Sequence, residues 1–384
     1  MKKRIVSALL AGFLLVSATA CGKQPAADAA QPVADPTQAY LDTVDVDYAY
    51  DLALKLEDIR SNETLGYRTA GSDAELATGD MLKAEMERIG LQNVTKDAFA
   101  LDTWTFTKAQ LGFEDSAGEA HVAELGGYQT DFVTDGAETF TVIDGGRGTE
   151  ADLAGLDVAG KLVLVNINQR EDWWINYPAY EAYLAGAAAV IAVQDGGYAE
   201  VSSDALNAQD VCGPSYAPAF SMSRTDAELL RAAMNESGEA TVTLDADSRV
   251  GMDGTSYNIV GTIPGRDTES MVLMSAHYDS YFAGFQDDNA AIALMMGIAK
   301  GLIDSGYQPE KTLVFCAMAA EEWGVSNTRY DWSTGAYNQI FRVHPEWVGK
   351  VIADINFELP AMNEGTSDQI RTSYELKTFV DGFK

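Results

Sequence analysis

Residues 271–289, MVLMSAHYDSYFAGFQDDN, decide how the chain is read. The run 271–276 is short and mostly apolar, the pattern of a buried strand. It delivers His277 and, two residues on, Asp279. A short loop then brings Asp287, Asp288 and Asn289. An imidazole and carboxylates just past the end of a buried strand are the donor types of a zinc site.

Working outward, strands are expected at 258–263, 271–276, 312–317 and 351–357, with a helix at 290–303. Such alternation predicts an α/β fold, a mixed twisted sheet flanked by helices. Ligands in these sheets bind beyond the carboxyl ends of strands, where His277, Asp287, the pair Glu321-Glu322 and Glu358 fall. Upstream, helices are expected at 48–60 and 72–90. The second opens on a capping box, Ser72-x-x-Glu75, carries Leu82, Met86 and Ile89 on one face, and stops at Gly90. Residues 103–113 read as a strand.

Between about 116 and 249 the pattern changes to short strands, such as 139–143 and 161–167. Gly-rich turns separate them, and one apolar helix falls at 177–186. This predicts a separate small β-rich domain. It holds a single histidine, His121, and no cluster of ligand types is evident in it. The words DLAGLDVAGKLVLV (152–165) and AGAAAVIAV (185–193) resemble the protease-associated (PA) domain, a typical insertion in exported peptidases.

Composition bounds the partners. The 384 residues are 47% hydrophobic and 10% aromatic, enough for large cores, and carry a formal charge of −32. With 26 basic against 58 acidic residues, nucleic acid is excluded as a partner, since phosphate binding needs concentrated Lys and Arg. The acidity reads as a solvated, self-repelling surface. Residues 1–20 have a basic start (Lys2, Lys3, Arg4) and an apolar core too short to span a bilayer, a signal peptide. Ala18-Thr19-Ala20-Cys21 resembles a bacterial lipobox. This implies an exported protein, lipid-anchored to the membrane through Cys21, or secreted or periplasmic where Cys21 carries no lipid. Residues 21–45 are rich in Ala, Pro, Asp and Gln and read as a flexible tether, with order from Val46. Cys316 lies in an apolar run and reads as a small core residue; nothing argues for a Cys212–Cys316 bridge.

Four local words stand in order: His277-x-Asp279-Ser280, Asp287-Asp288-Asn289-Ala290, Ala320-Glu321-Glu322-x-Gly324 and Asn356-Phe357-Glu358. Together with the lead-in Asn258-Ile-Val-Gly-x-Ile-Pro-Gly265, they resemble the clan MH zinc exopeptidases. That clan includes aminopeptidase Y, bacterial leucyl aminopeptidases and glutamate carboxypeptidase. The resemblance implies two catalytic segments, 46–115 and 250–384, around an inserted PA domain at 116–249. It implies two Zn²⁺ per complete site, held about 3.5–4 Å apart by a bridging carboxylate, here Asp287. His277 and Glu358 would complete one metal's protein ligands and Glu322 would sit on the other. Asp279 would accept the second ring N–H of His277. Glu321 would be the general base acting on the bridging water. A strained or cis peptide is implied between Asp287 and Asp288.

Two departures are set beside this. Glu358 stands where the family more often has Asp. The family's last metal ligand is a His beyond that acid, which implies that the sequence is a fragment or truncated gene model of an active family member, whereas a genuine truncated gene would be inactive. The function so implied is a metallopeptidase removing N-terminal residues from peptides. The alternatives are a non-catalytic receptor-like protein, or a carboxypeptidase or glutaminyl cyclase on the same scaffold. Any one word alone has a bland reading: a surface His-x-Asp, a helix cap at Asp-Asp-Asn, a solvated Glu-Glu turn. Their order after successive strands reverses that judgement. His121 and His344 keep the bland reading. Trp173 and Trp174 read as buried or dimer-facing packing, with a homodimer among the expected partners.

Overall fold

The computed structural model describes residues 35–168, 171, 177–197, 202–206, 214–326, 332–361 and 370–382. The expected signal peptide, Cys21, Trp173, Trp174 and Cys212 lie outside the described residues. Among those described, no helix is long and apolar enough to cross a membrane.

Among the described residues, twelve strands form one sheet: β1 (Gln92–Glu114), β2 (Ala120–Glu124), β3 (Gly126–Tyr128), β4 (Phe132–Val133), β5 (Glu138–Asp144), β6 (Leu162–Ile167), β7 (Ala189–Gln194), β8 (Ala219–Ser221), β9 (Glu239–Ile263), β10 (Asp267–His277), β11 (Lys311–Met318) and β12 (Val351–Asn356). The main path runs β12-β10-β11-β9-β5-β6-β7-β8-β3. β10 lies between β12 and β11 and is parallel to both, whereas β11 runs antiparallel to β9. The sheet is therefore mixed, as the alternation of elements predicted.

β10 is the strand read from its apolar run, and it is buried on both faces. Met274 and Ala276 join the main core, whereas Leu273 packs on the other face with Val260, Val314, Cys316 and Trp347. A strand covered on both sides cannot alternate polar with apolar residues, so its sequence is a continuous apolar run. The helix Ala290–Asp304 covers the first of these faces and is apolar nearly all round, because three further helices, Pro36–Leu41, Val46–Glu57 and Asp73–Ile89, pack against it. Cys316 is a buried free thiol, as expected.

The longest strands depart from expectation. The local pattern predicts strand only at 103–113 and 258–263, but β1 and β9 pair antiparallel from Gln92 with Thr262 to Gly112 with Thr243. β9 thus pairs with β11 through 259–263 and with β5 through 239–244. The expected domain boundary at 249 falls inside this continuous strand. A two-stranded ribbon satisfies its own backbone hydrogen bonds, so it can cross from one core to the next without a break. The inserted segment has its own second core, where Ala179 and Ala182 of the helix Tyr177–Leu184 pack on Val163, Val165, Val190 and Ala192.

Helices also begin earlier than expected. A helix at Pro36–Leu41, capped by Asp35, lies within the stretch read as tether. Tyr40 explains it: the side chain is 2% exposed and packs on Gly301, where even a Cβ would come within 3.0 Å of the ring. Burying a side chain of that size contributes about 2 kcal/mol towards holding six residues that show no periodicity. Helix Val46–Glu57 follows, capped by Asp45. Helix Asp73–Ile89 has the predicted Ser72 cap and a left-handed Gly90 at its end. The last described elements are a short turn, Tyr374–Leu376, and a helix, Lys377–Asp381.

Candidate metal centre

The carboxyl end of β10 places His277 in the interior, 2% exposed, with acids converging on it. Nε2 lies 3.1 Å from Asp287 Oδ1, 3.5 Å from Glu358 Oε1 and 3.8 Å from Asp288 Oδ2. Donor atoms at zinc–ligand distances of about 2.0–2.2 Å in tetrahedral array stand roughly 3.4 Å apart, so this spacing fits the metal. Burial alone would lower the His277 pKa, but Asp288, Asp279, Asp287 and Glu358 together hold it well above the ordinary value. Asp288 is itself pushed well up, by burial first and by Glu358 and Asp287 next, against the pull of His277. So much negative charge on one imidazole is a cation-binding arrangement.

Each acid has a structural reason for its position. Asp287 and Asp288 lie in the turn Phe285–Asn289, whose dihedrals at these residues are not helical, and the peptide between them is cis. Asp288, fully buried, accepts the backbone N–H of His277 at 3.4 Å and of Leu359 at 3.2 Å, tying the ends of β10 and β12 together. Ser275 donates to Asp354 and meets Asn356, and the Asn356 amide donates to Glu358 Oε2 at 3.3 Å. Asp287 and Glu358 remain 48% and 41% exposed, so the group opens to solvent on one side.

Asp279 is placed differently from expectation. The His277 Nδ1–H points at the backbone carbonyl of Asp279, 3.0 Å away, with the carboxylate farther off at 3.4 Å. The carboxylate instead accepts the backbone N–H groups of Glu321 at 2.9 Å and Glu322 at 3.0 Å. It thereby joins the loop after β11 to the end of β10. Glu321 is half-buried in that loop, and the Ser333 hydroxyl donates to its Oε1 at 3.1 Å. Burial, with Asp279 and Glu358 nearby, pushes the Glu321 pKa up to about 7, against the opposing pull of His277 and Ser333. Glu322 lies beside it, outside the group of four formed by His277, Asp287, Asp288 and Glu358.

Several supporting residues were not read from the sequence. Arg68, 1% exposed, donates to the carbonyls of Tyr278, Leu56 and Ile59 and to Asn289 Oδ1. Burial lowers its pKa to about 10, opposed by Asp279 and Glu75, so it stays charged at neutral pH. Glu75 is fully buried and accepts from Gly71 N–H, Ser256 Oγ and Ala320 N–H. Burial and then Asp279 push it up to about 8, against these three donors. Both its oxygens serve as acceptors, so the ionised form is the one that satisfies its partners. Gln129, from the inserted segment, donates to the Glu322 carbonyl at 3.2 Å. It lines a small crevice with Thr69, Trp104, Tyr281 and Trp323. No local spacing pairs these residues, and only the fold brings them together.

His344 is remote from this centre. It bonds Asp97 and Glu346 and stacks on Trp347 with centroids 4.6 Å apart. His121 stacks on Phe113 and bonds Asp115, and the β1–β2 turn also brings Glu119 within reach, a grouping not evident in the sequence. Asp115 is accounted for by the turn, since it accepts the N–H groups of Ala117 and Glu119.

A family model described as Peptidase family M28 matches residues 258–381, which contain every proposed ligand, and a PA domain model matches 120–230. Residues 258–381 are similar to the M28 family, and residues 120–230 to the PA domain. The M28 match thus takes in β10 to β12, and the PA match lies between the long partners β1 and β9. Among curated relatives, the chain is 26% identical over 282 residues to a protein named probable leucine aminopeptidase 2 from Aspergillus fumigatus. The alignment covers 72% of this chain and 53% of that one. The chain therefore spans about half the length of that relative. Among solved structures, a zinc aminopeptidase from Bacillus subtilis aligns with a TM-score of 0.58 at 22% identity, over 82% of this chain and 69% of that one. An M28 peptidase precursor from Shewanella amazonensis aligns with a TM-score of 0.62 at 19% identity, over 83% and 72%. At these identities the two structures speak for the M28 fold alone.

Proposed function

We propose that this chain is an M28-family zinc-dependent exopeptidase of the aminopeptidase kind, acting on the free N-termini of peptides. The observation that carries the reading is the convergence of Asp287, Asp288 and Glu358 on His277 Nε2, with Glu321 in the neighbouring loop, all inside the M28 match. The name of the Aspergillus relative and the zinc of the Bacillus structure support it.

His277, Asp287 and Glu358 would hold one zinc ion, and Asp287 with Glu322 a second. Bound zinc supplies Lewis-acid polarisation of the scissile carbonyl and a more acidic water. The rest falls to the chain's own groups. Glu321, poised near neutrality, takes the proton of the attacking water at Oε2 and passes it to the leaving amine. Ser333 orients that carboxylate through Oε1. Asp288 holds the backbone at His277 and at Leu359, next to Glu358, and so keeps two ligands at a fixed separation. The lipobox-like Cys21 would place this activity outside the cell membrane.

The test is hydrolysis of leucine 4-nitroanilide against its N-acetyl derivative by the full chain with zinc supplied. The free amine should be cleaved and the acetylated one not, with loss of activity on chelation. Equal cleavage of both, or activity indifferent to chelator, would refute the reading.

A further inference from the structure

The loop that carries Glu321 and Glu322 is held in an unusual way. Four consecutive backbone N–H groups, from Ala319 to Glu322, each donate to a side chain from elsewhere in the chain. Ala319 donates to Asn258 Oδ1 at 2.9 Å and Ala320 to Glu75 Oε1 at 2.9 Å. Glu321 and Glu322 donate to the two oxygens of Asp279 at 2.9 and 3.0 Å. Asn258, Glu75 and Asp279 are all buried. Ala320 has φ +49°, a left-handed conformation that a residue with a Cβ adopts only at a cost, so the surroundings must hold it. Gly335 closes the other side: a Cβ there would come 1.9 Å from the Ala319 carbonyl.

Glu75 is the least expected member. It lies 245 positions before Ala320, in the first turn of the helix Asp73–Ile89. Its place in the Ser72-x-x-Glu75 box would have it cap Ser72 N–H. Ser72 Oγ does accept Glu75 N–H at 3.1 Å, but the Glu75 side chain is directed to Gly71, Ser256 and Ala320 instead. A capping role alone would need neither full burial nor the reach to Ala320. We propose that Glu75 is a positioning residue for Glu321: its carboxylate fixes the Ala320 peptide, and hence the direction in which the Glu321 side chain leaves the loop. This deepens the reading of Glu321 as the base and rests on it.

The experiment uses the full zinc-loaded chain with Glu75→Gln, Ser256→Ala and Glu321→Gln in parallel. Turnover of leucine 4-nitroanilide, bound zinc, thermal midpoint and amide hydrogen exchange across 317–323 are read for each. In Glu75→Gln the side-chain amide presents a donor where the carboxylate offered only acceptors. The expected result is a kcat lower by about 10–100-fold, with KM within about threefold, zinc retained and faster exchange at 320–322. Ser256→Ala removes a donor from the same carboxylate but leaves the Ala320 bond, so it should keep kcat within about threefold. Where Glu75→Gln does not fold, Glu75→Asp, which keeps the charge but shortens the reach, carries the same expectation. Wild-type kcat and exchange in the Glu75 variant overturn the proposal. So do equal losses of kcat and thermal midpoint in the Glu75 and Ser256 variants, the pattern of a merely structural role. Full activity in Glu321→Gln, or no hydrolysis by the wild type, sinks the base assignment and this proposal with it. An inactive Glu321→Gln beside a wild-type Glu75→Gln sinks the positioning role alone.

Discussion

Replacing Asp279 by Asn separates two roles that the same residue could play. The two carboxylate oxygens take the Glu321 and Glu322 N–H groups, one each, in a site shut off from water. Asn keeps one acceptor and turns an NH₂ towards the other backbone donor. One buried N–H is then unsatisfied, at a cost of about 1–3 kcal/mol. If that cost falls on the loop geometry needed in the transition state, kcat drops by about 5–150-fold. The hydrogen bond from His277 Nδ1 is to the Asp279 backbone carbonyl, which the substitution leaves in place. Zinc affinity should therefore fall by less than the roughly 10–100-fold typical when the partner of a ligating histidine is removed. The assay is zinc competition against a chromophoric chelator, followed by kcat at saturating zinc. A 10–100-fold loss of zinc affinity with unchanged kcat would refute this reasoning and make the carboxylate the orienter of His277.

Arg68→Met removes a buried guanidinium that holds three carbonyls and Asn289, and it leaves Glu75 and Asp279 without their nearby cation. The expected loss is about 3–5 kcal/mol, a large part of ordinary domain stability, read from urea denaturation; an unmoved midpoint would contradict it. His344→Asn tests a pH linkage. Burial lowers the His344 pKa, but its bonds to Glu346 and Asp97 raise it overall. A raised folded pKa gives stability that is complete below the unfolded value, about 6.5, and lost as pH rises through the folded one. The thermal midpoint difference between wild type and variant should thus be larger at pH 6 than at pH 9, and a difference growing with pH would rule the linkage out.

How much was legible follows from how far apart the partners lie in sequence. The β10 run, the Ser72 cap, the Gly90 stop and the helix after Asn289 are local signals, and the structure has each of them. From sequence, His277, Asp287, Glu322 and Glu358 form an ordered ligand set after successive strands; in the structure Asp288 joins His277, Asp287 and Glu358, and Glu322 lies outside that group. The supports were not legible. Glu75 reads as a local cap, and only the fold shows its carboxylate against Ala320. Ser333 and Arg68 carry no pattern, since a hydroxyl in a turn and a lone arginine are surface features until the fold buries them. Asp279 is instructive in another way. Its spacing from His277 predicts that the carboxylate accepts the ring N–H, whereas the backbone carbonyl of Asp279 takes that place. The lengths of β1 and β9 were missed because each borrows its order from the other. Tyr40 was missed because one buried ring, packed on a glycine, makes no periodic pattern.

The central claim is that the centre at the end of β10 binds zinc for a proton-transfer reaction run by Glu321. The most direct test is Glu321→Gln, with bound zinc and hydrolysis of leucine 4-nitroanilide measured on the same sample. The account predicts zinc content equal to wild type with activity reduced by at least about 10²-fold. Wild-type turnover by the zinc-loaded variant would contradict it.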